Sequence, residues 1–178
     1  ARAYVTALSG RPGPVVLALP EDVLSEEADV EDAAPVEIAA AAPRAEDLTR
    51  LRELLAAAER PLVVVGEGGW TASTSEDVLA FCEANELPAA CAFRCQDFVD
   101  NASPSYAGVL GVAMDDRLAA RLAAADLVLA VGGRLGEVPT RRYTLLEAPD
   151  PRQVLIHAHP DPNELGFVYE PDLAIAAT

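Results

Sequence analysis

Ala125-Asp126-Leu127-Val128-Leu129-Ala130-Val131-Gly132-Gly133-Arg134 is the stretch on which the fold turns. Leu127 to Val131 is an unbroken apolar run, too short for a helix and without the alternation of a half-exposed strand. Such a run reads as a strand buried on both faces. Gly132-Gly133 ends it in a turn. Just upstream, Asp115 or Asp116 can cap a helix running to Ala125. A helix that delivers the chain into a doubly buried strand is the building unit of a parallel sheet.

The same alternation extends in both directions. Leu48, Leu51, Leu55 and Ala58 form one helical stripe, with Glu46, Asp47, Arg50 and Glu53 opposite, and Pro61 ends that helix. Leu62-Val63-Val64-Val65 is a second buried strand, followed at once by Gly66-Glu67-Gly68-Gly69. Ser73-x-x-Glu76 has capping-box spacing, and Val78, Leu79 and Cys82 give the next apolar stripe. Leu87 to Phe93, Val154-Leu155-Ile156 and Leu173-Ala174-Ile175 are further strand candidates. The expected architecture is α/β, a Rossmann-like, doubly wound parallel sheet with helices on both faces. Aromatics make up only 5% of the residues, so Ala, Val and Leu must build the core. Each buried Val or Leu contributes about 1.5–3 kcal/mol, enough to drive such a sheet.

The first forty residues read differently. Ala1 to Leu8 looks like the inside of a helix. Pro14-Val15-Val16-Leu17-Ala18-Leu19, after Gly10-Arg11-Pro12-Gly13, reads as another strand buried on both faces, stopped by Pro20. Glu21 to Pro43 is acidic and rich in Ala and Pro, and reads as an extended linker, with a charged surface helix as the other reading. Val15–Leu19 is expected to belong to a different sheet from Leu62–Val65. It should be poorly ordered alone or pack against a neighbouring chain. The chain starts at Ala1 rather than Met and looks cut from a longer protein.

Composition narrows the partners. The 178 residues are 51% apolar and 24% charged, which is ordinary for a globular chain. The net charge of −16 repels nucleic acid and anionic membranes, and Arg141-Arg142 is the sole basic doublet. No apolar run approaches the roughly 20 residues that span a bilayer, and no signal peptide is visible. Three cysteines without a regular framework fit a reducing compartment, hence the cytoplasm.

Two glycine turns are the candidate ligand site. Gly66, Gly68 and Gly69 follow one strand, and Gly132, Gly133 and Arg134 follow another. Carboxyl ends of parallel strands are where open α/β sheets bind ligands. Glycines admit a phosphate close to the backbone, and an arginine can hold it bidentately. Thr71 stands where a dinucleotide fingerprint wants its third glycine, and Arg94 sits where its acidic residue is expected, so an ordinary NAD site is disfavoured. The plainer readings are a tight turn needing positive φ, and an Arg134–Glu137 surface pair. Cys82 reads as core, and Cys91-x-x-x-Cys95 lacks zinc spacing. His157 and His159 would share one side of a strand, as metal ligands can, but no third ligand is evident, so no metal site is assigned. No serine sits in a nucleophile elbow. Taken alone, these residues describe a ligand-binding or scaffolding domain, and no catalytic residue can be nominated.

The order of motifs carries a resemblance. Arg11-Pro12-Gly13-Pro14-Val15 with Leu19-Pro20-Glu21-Asp22-Val23 resembles the segment closing the N-terminal, pyrimidine-binding domain of acetolactate-synthase-like thiamine-diphosphate enzymes. Arg60-Pro61-Leu62-Val63-Val64-Val65-Gly66-Glu67-Gly68-Gly69 resembles the opening of their central domain. Tyr106-Ala107-Gly108-Val109-Leu110-Gly111, the Ala125–Arg134 stretch, and Ile156-His157-Ala158-His159-Pro160-Asp161-Pro162 with Glu164-Leu165-Gly166 are similar to its later motifs.

The resemblance implies residues 1–23 as the tail of the first domain, 24–43 as linker and 44–178 as central domain. It implies a parent that decarboxylates or ligates a 2-keto acid, a homo-oligomer with N- and C-terminal domains in the same chain. Thiamine diphosphate and Mg²⁺ would be bound outside this segment. The activating Glu would lie upstream of Ala1 and the Gly-Asp-Gly motif downstream of Thr178, leaving the segment itself inactive. Some relatives hold FAD in the central domain, using the glycine turn and the arginine matching Arg134. Those carry Arg-Phe-Asp-Asp-Arg where this chain has Arg134-Leu135-Gly136-Glu137-Val138, and Asp where it has His159, so FAD is disfavoured. The competing reading is a stand-alone nucleotide-binding or regulatory module.

Overall fold

The computed structural model describes residues 2–178. The chain divides into two compact units, Ala1–Ala40 and Ala41–Thr178. In the first, helix α1 spans Arg2–Leu8 and a single turn, α2, spans Glu21–Leu24. The strand expected at Val15–Leu19 does not form. These residues run without a ladder, and Val16 and Leu17 are 91% and 67% exposed. The cause is the lack of a partner. A strand needs a neighbour for its amides and carbonyls, and no described segment of this unit supplies one. From Ser25 to Arg44 the chain has no regular element.

The second unit is an α/β domain. Helix α3 spans Ala45–Ala57, β1 Pro61–Val65, α4 Ala72–Ala84, β2 Ala89–Ala92 and β3 Tyr106–Leu110. Then come α5 at Asp116–Ala124, β4 at Leu127–Val131, β5 at Val154–His159 and β6 at Leu173–Ala176. All six strands are parallel, in the order β3-β2-β1-β4-β5-β6. The sheet thus grows in one direction from β1 through β3, and in the other from β4 through β6.

That reversal dictates the two faces, because parallel crossovers keep one hand. The connection α4, and α3 ahead of β1, pack on one face over Val63, Val65, Cys91, Leu129 and Ile156. After the reversal the connections switch sides. α5 buries Leu118, Ala119 and Leu122 on the other face against Val64, Val128 and Leu155. Leu135 and Leu146 from the β4–β5 connection and Tyr169 from the β5–β6 connection complete that face, in place of helices.

Several local expectations need adjustment. The cap of α4 is Thr71, whose side chain accepts the amide of Thr74, so Ser73 already lies inside the first turn. Asp115 caps α5 through the amide of Arg117. β3 is a strand that the apolar pattern did not mark, because it lies half-buried at the sheet edge and its pairing with β2 slips between Ala89 and Ala90. At the opposite end of the strands, Asp126 clasps β1 to β4. Its carboxylate accepts the amides of Glu59 at 2.8 Å and Arg60 at 2.9 Å. No helix among the described residues is long and apolar enough to cross a membrane.

Candidate functional site

The sheet reverses its direction of growth between β1 and β4, which pair along their whole length from Pro61 with Leu127 to Val65 with Val131. The crevice beyond the carboxyl ends of such a strand pair is the general ligand position of open α/β sheets. All six expected binding residues converge there. Gly66, Gly68 and Gly69 lie in the turn after β1, and Gly132, Gly133 and Arg134 in the turn after β4.

The two turns meet backbone to backbone. Gly66 donates its amide to Val131 O, Gly68 to Gly132 O and Gly132 to Ala158 O, each at 2.8 Å. A Cβ on Gly66 would fall 2.0 Å from Gly133 Cα. Gly132 has φ of +71°, and a Cβ there would fall 2.5 Å from Gly68 O. These glycines are required because two turns touch, whether or not a ligand also approaches. Three of the amides that could cradle an anion already donate to the protein's own carbonyls.

Arg134 is also engaged. Its Nε lies 2.8 Å from Glu67 Oε1, across the mouth of the crevice, with both side chains about two-fifths exposed. The expected partner, Glu137, instead lies 3.7 Å from Arg142. Pairing between two loops 67 positions apart follows from strand order, which no local spacing reveals.

Below the turns, β5 sends two imidazoles to the same side, as its alternation requires. They do not form a metal pair. His157 Nε2 lies 2.7 Å from Gly133 O, a group that can only accept, so Nε2 carries the proton. Burial pushes the His157 pKa below its ordinary value, outweighing the hydrogen bond to Gly133. His159 accepts the amide of Asp161 at Nδ1, and its buried Nε2 has no hydrogen-bond partner. Trp70, stacked on Phe98 with ring centroids 5.2 Å apart, likewise buries an unpartnered Nε1. Cys82, Cys91 and Cys95 are buried free thiols, with pKa values pushed by burial to about 11, 11 and 12. Such thiols are protonated and inert at neutral pH.

Two ligand fits can be tested on these residues. Among the described residues no group of three or more His, Cys, Asp or Glu side chains is placed to hold a metal ion. For a dinucleotide, three of the turn amides and the Nε of Arg134 are occupied internally. Open space lies beside the crevice, in a groove of about 490 Å³ at the carboxyl ends of β2 and β3. Phe93, Arg94, Gln96, Val109 and Val112 line it.

A family model described as the central domain of thiamine pyrophosphate enzymes matches residues 48–178. The chain is 33% identical over 178 residues to the acetolactate synthase isozyme 2 large subunit of Escherichia coli (strain K12), covering 98% of this chain and 31% of that one. It is 28% identical over 179 residues to a glyoxylate carboligase of Escherichia coli O157:H7, covering 99% of this chain and 30% of the relative. The chain thus spans about a third of the length of the curated relatives it matches. Among solved structures, benzoylformate decarboxylase from Polynucleobacter necessarius superposes with a TM-score of 0.74 at 21% identity, over 99% of this chain and 33% of that one. At that identity the likeness speaks for the fold.

Proposed function

The chain belongs to the family of thiamine pyrophosphate enzyme central domains, and on that premise we propose that it is the non-catalytic middle of a decarboxylase or carboligase acting on a 2-keto acid. Residues 1–23 are read as the tail of the preceding domain, 24–43 as linker and 44–178 as the central domain. Thiamine diphosphate and Mg²⁺ are held by domains outside this segment, in a cytoplasmic homo-oligomer. The cofactor supplies the chemistry of breaking and forming the bond beside the keto group. The residues of this chain supply a rigid six-stranded platform that spaces the flanking domains. Within it Gly66, Gly68, Gly69, Gly132, Gly133 and Arg134 form the strand-end crevice, a site that disfavours FAD.

The observation that carries the reading is the family match over 48–178 on a sheet in 3-2-1-4-5-6 order. Support for the platform role comes from the crevice, where three turn amides and the Nε of Arg134 bond to the protein's own acceptors. Calorimetric titration tests it. Thiamine diphosphate with Mg²⁺ should give no binding heat with the 178-residue chain. Stoichiometric binding there would overturn the proposal.

A further inference from the structure

The turn after β1 carries one charged side chain, Glu67, set between Gly66 and Gly68. Strand pairing places it opposite the one cation of the turn after β4, and the two meet at 2.8 Å. We propose that Glu67 is a built-in occupant of the anion position of this crevice, closing it to nucleoside diphosphates and dinucleotides. The inference rests on the reading of the six crevice residues given above.

A diphosphate at a strand-end crevice is held by turn amides and by a cation. Here the amides of Gly66, Gly68 and Gly132 donate to Val131, Gly132 and Ala158 carbonyls. The turns cannot part freely to release them, because Gly66 and Gly133 are in close contact and His157 ties down the Gly133 carbonyl. The one cation of the two turns is the Arg134 guanidinium, and the Glu67 carboxylate already accepts from its Nε. An incoming diphosphate must displace that carboxylate and then sit beside its negative charge, within a chain of net charge −16. A carboxylate imitates one phosphate edge, and here it holds the Nε of the arginine and sets a negative charge beside the two terminal nitrogens.

Calorimetry on the full chain tests this with ADP as probe and adenosine as control. Wild type should bind ADP weakly. Glu67→Gln removes the charge and should bind ADP at least about tenfold tighter, the worth of one charge-assisted hydrogen bond. Adenosine, lacking the diphosphate, should gain nothing. Adding Arg134→Ala to Glu67→Gln should abolish the gain. Circular dichroism checks the fold, and Glu67→Ser serves as a second variant with the same expectation. If wild type binds ADP as tightly as Glu67→Gln, and Arg134→Ala abolishes both, the crevice stands and the role of Glu67 is overturned. If neither wild type nor the Glu67 variants bind ADP, or binding survives Arg134→Ala, the crevice reading fails and this inference fails with it.

Discussion

His157 Nε2 lies 2.7 Å from the carbonyl oxygen of Gly133, joining the interior of β5 to the turn after β4. The bond requires a protonated Nε2, and burial disfavours a second proton on the ring. In the unfolded chain the imidazole takes that proton near pH 6.5. Between there and the lower folded value the unfolded state binds more protons, so stability must fall as the pH drops through this window. Urea melts from pH 8 to 5 should show the loss beginning below about pH 6.5. His157→Gln, which can still donate to Gly133, should flatten that decline. An equally steep decline in the variant would remove His157 as its source.

The contact between the glycine turns predicts a sharp positional contrast. Gly66→Ala places a methyl 2.0 Å from Gly133 Cα, against backbone that cannot rotate away. Overpacking of this kind costs about 1–3 kcal/mol or more. Gly136→Ala, with nothing within 4 Å of its Cβ, should change stability little. Thermal melts of the two variants check this, and similar melting temperatures would mean the turns are not in contact.

The strands at the centre of the sheet were readable because they are apolar on both faces, and the glycine turns because they follow those strands directly. The convergence of Gly66 and Gly132 at one crevice was legible too, since both end buried strands. What spacing could not supply was which charges meet. Arg134 has Glu137 three residues on, yet finds Glu67 because β1 and β4 are neighbours. Alternation put His157 and His159 on one side of a strand, though no third ligand was evident. Their hydrogen bonds to Gly133 and Asp161 depend on loops whose paths local pattern does not encode. Val15–Leu19 shows the opposite limit, an apolar run whose composition says strand while no described neighbour pairs with it.

Asp126 should prove a structural residue. Its burial alone would raise the carboxyl pKa, but the amides of Glu59 and Arg60 outweigh this and hold it below the ordinary value. Asp126→Ala should lose on the order of 1–2 kcal/mol, and Asp126→Asn less, because one acceptor oxygen remains. The sign follows from the lowered pKa: this contribution is present above about pH 3.9 and is lost as the pH falls through the folded value. Chemical denaturation at pH 7 reads the difference, and an unchanged Asp126→Ala midpoint would contradict the clasp.

Hydrogen exchange in a dilute monomer should separate two apolar runs of equal length. Leu127–Val131 lies between β1 and β5 and should be strongly protected. Val15–Leu19, exposed and without a ladder, should exchange near the unprotected rate. Equal protection in the two would contradict the assignment of residues 1–23 to a domain other than 44–178.

The central claim is that this chain is the non-catalytic middle of a thiamine-diphosphate enzyme. Release of CO₂ from 2-keto acids, pyruvate among them, tests it most directly. The complete protein encoded with this segment and the 178-residue chain would be assayed side by side, with and without thiamine diphosphate and Mg²⁺. The account predicts cofactor-dependent release by the complete protein and none by the chain. Cofactor-dependent release by the 178-residue chain itself would contradict it.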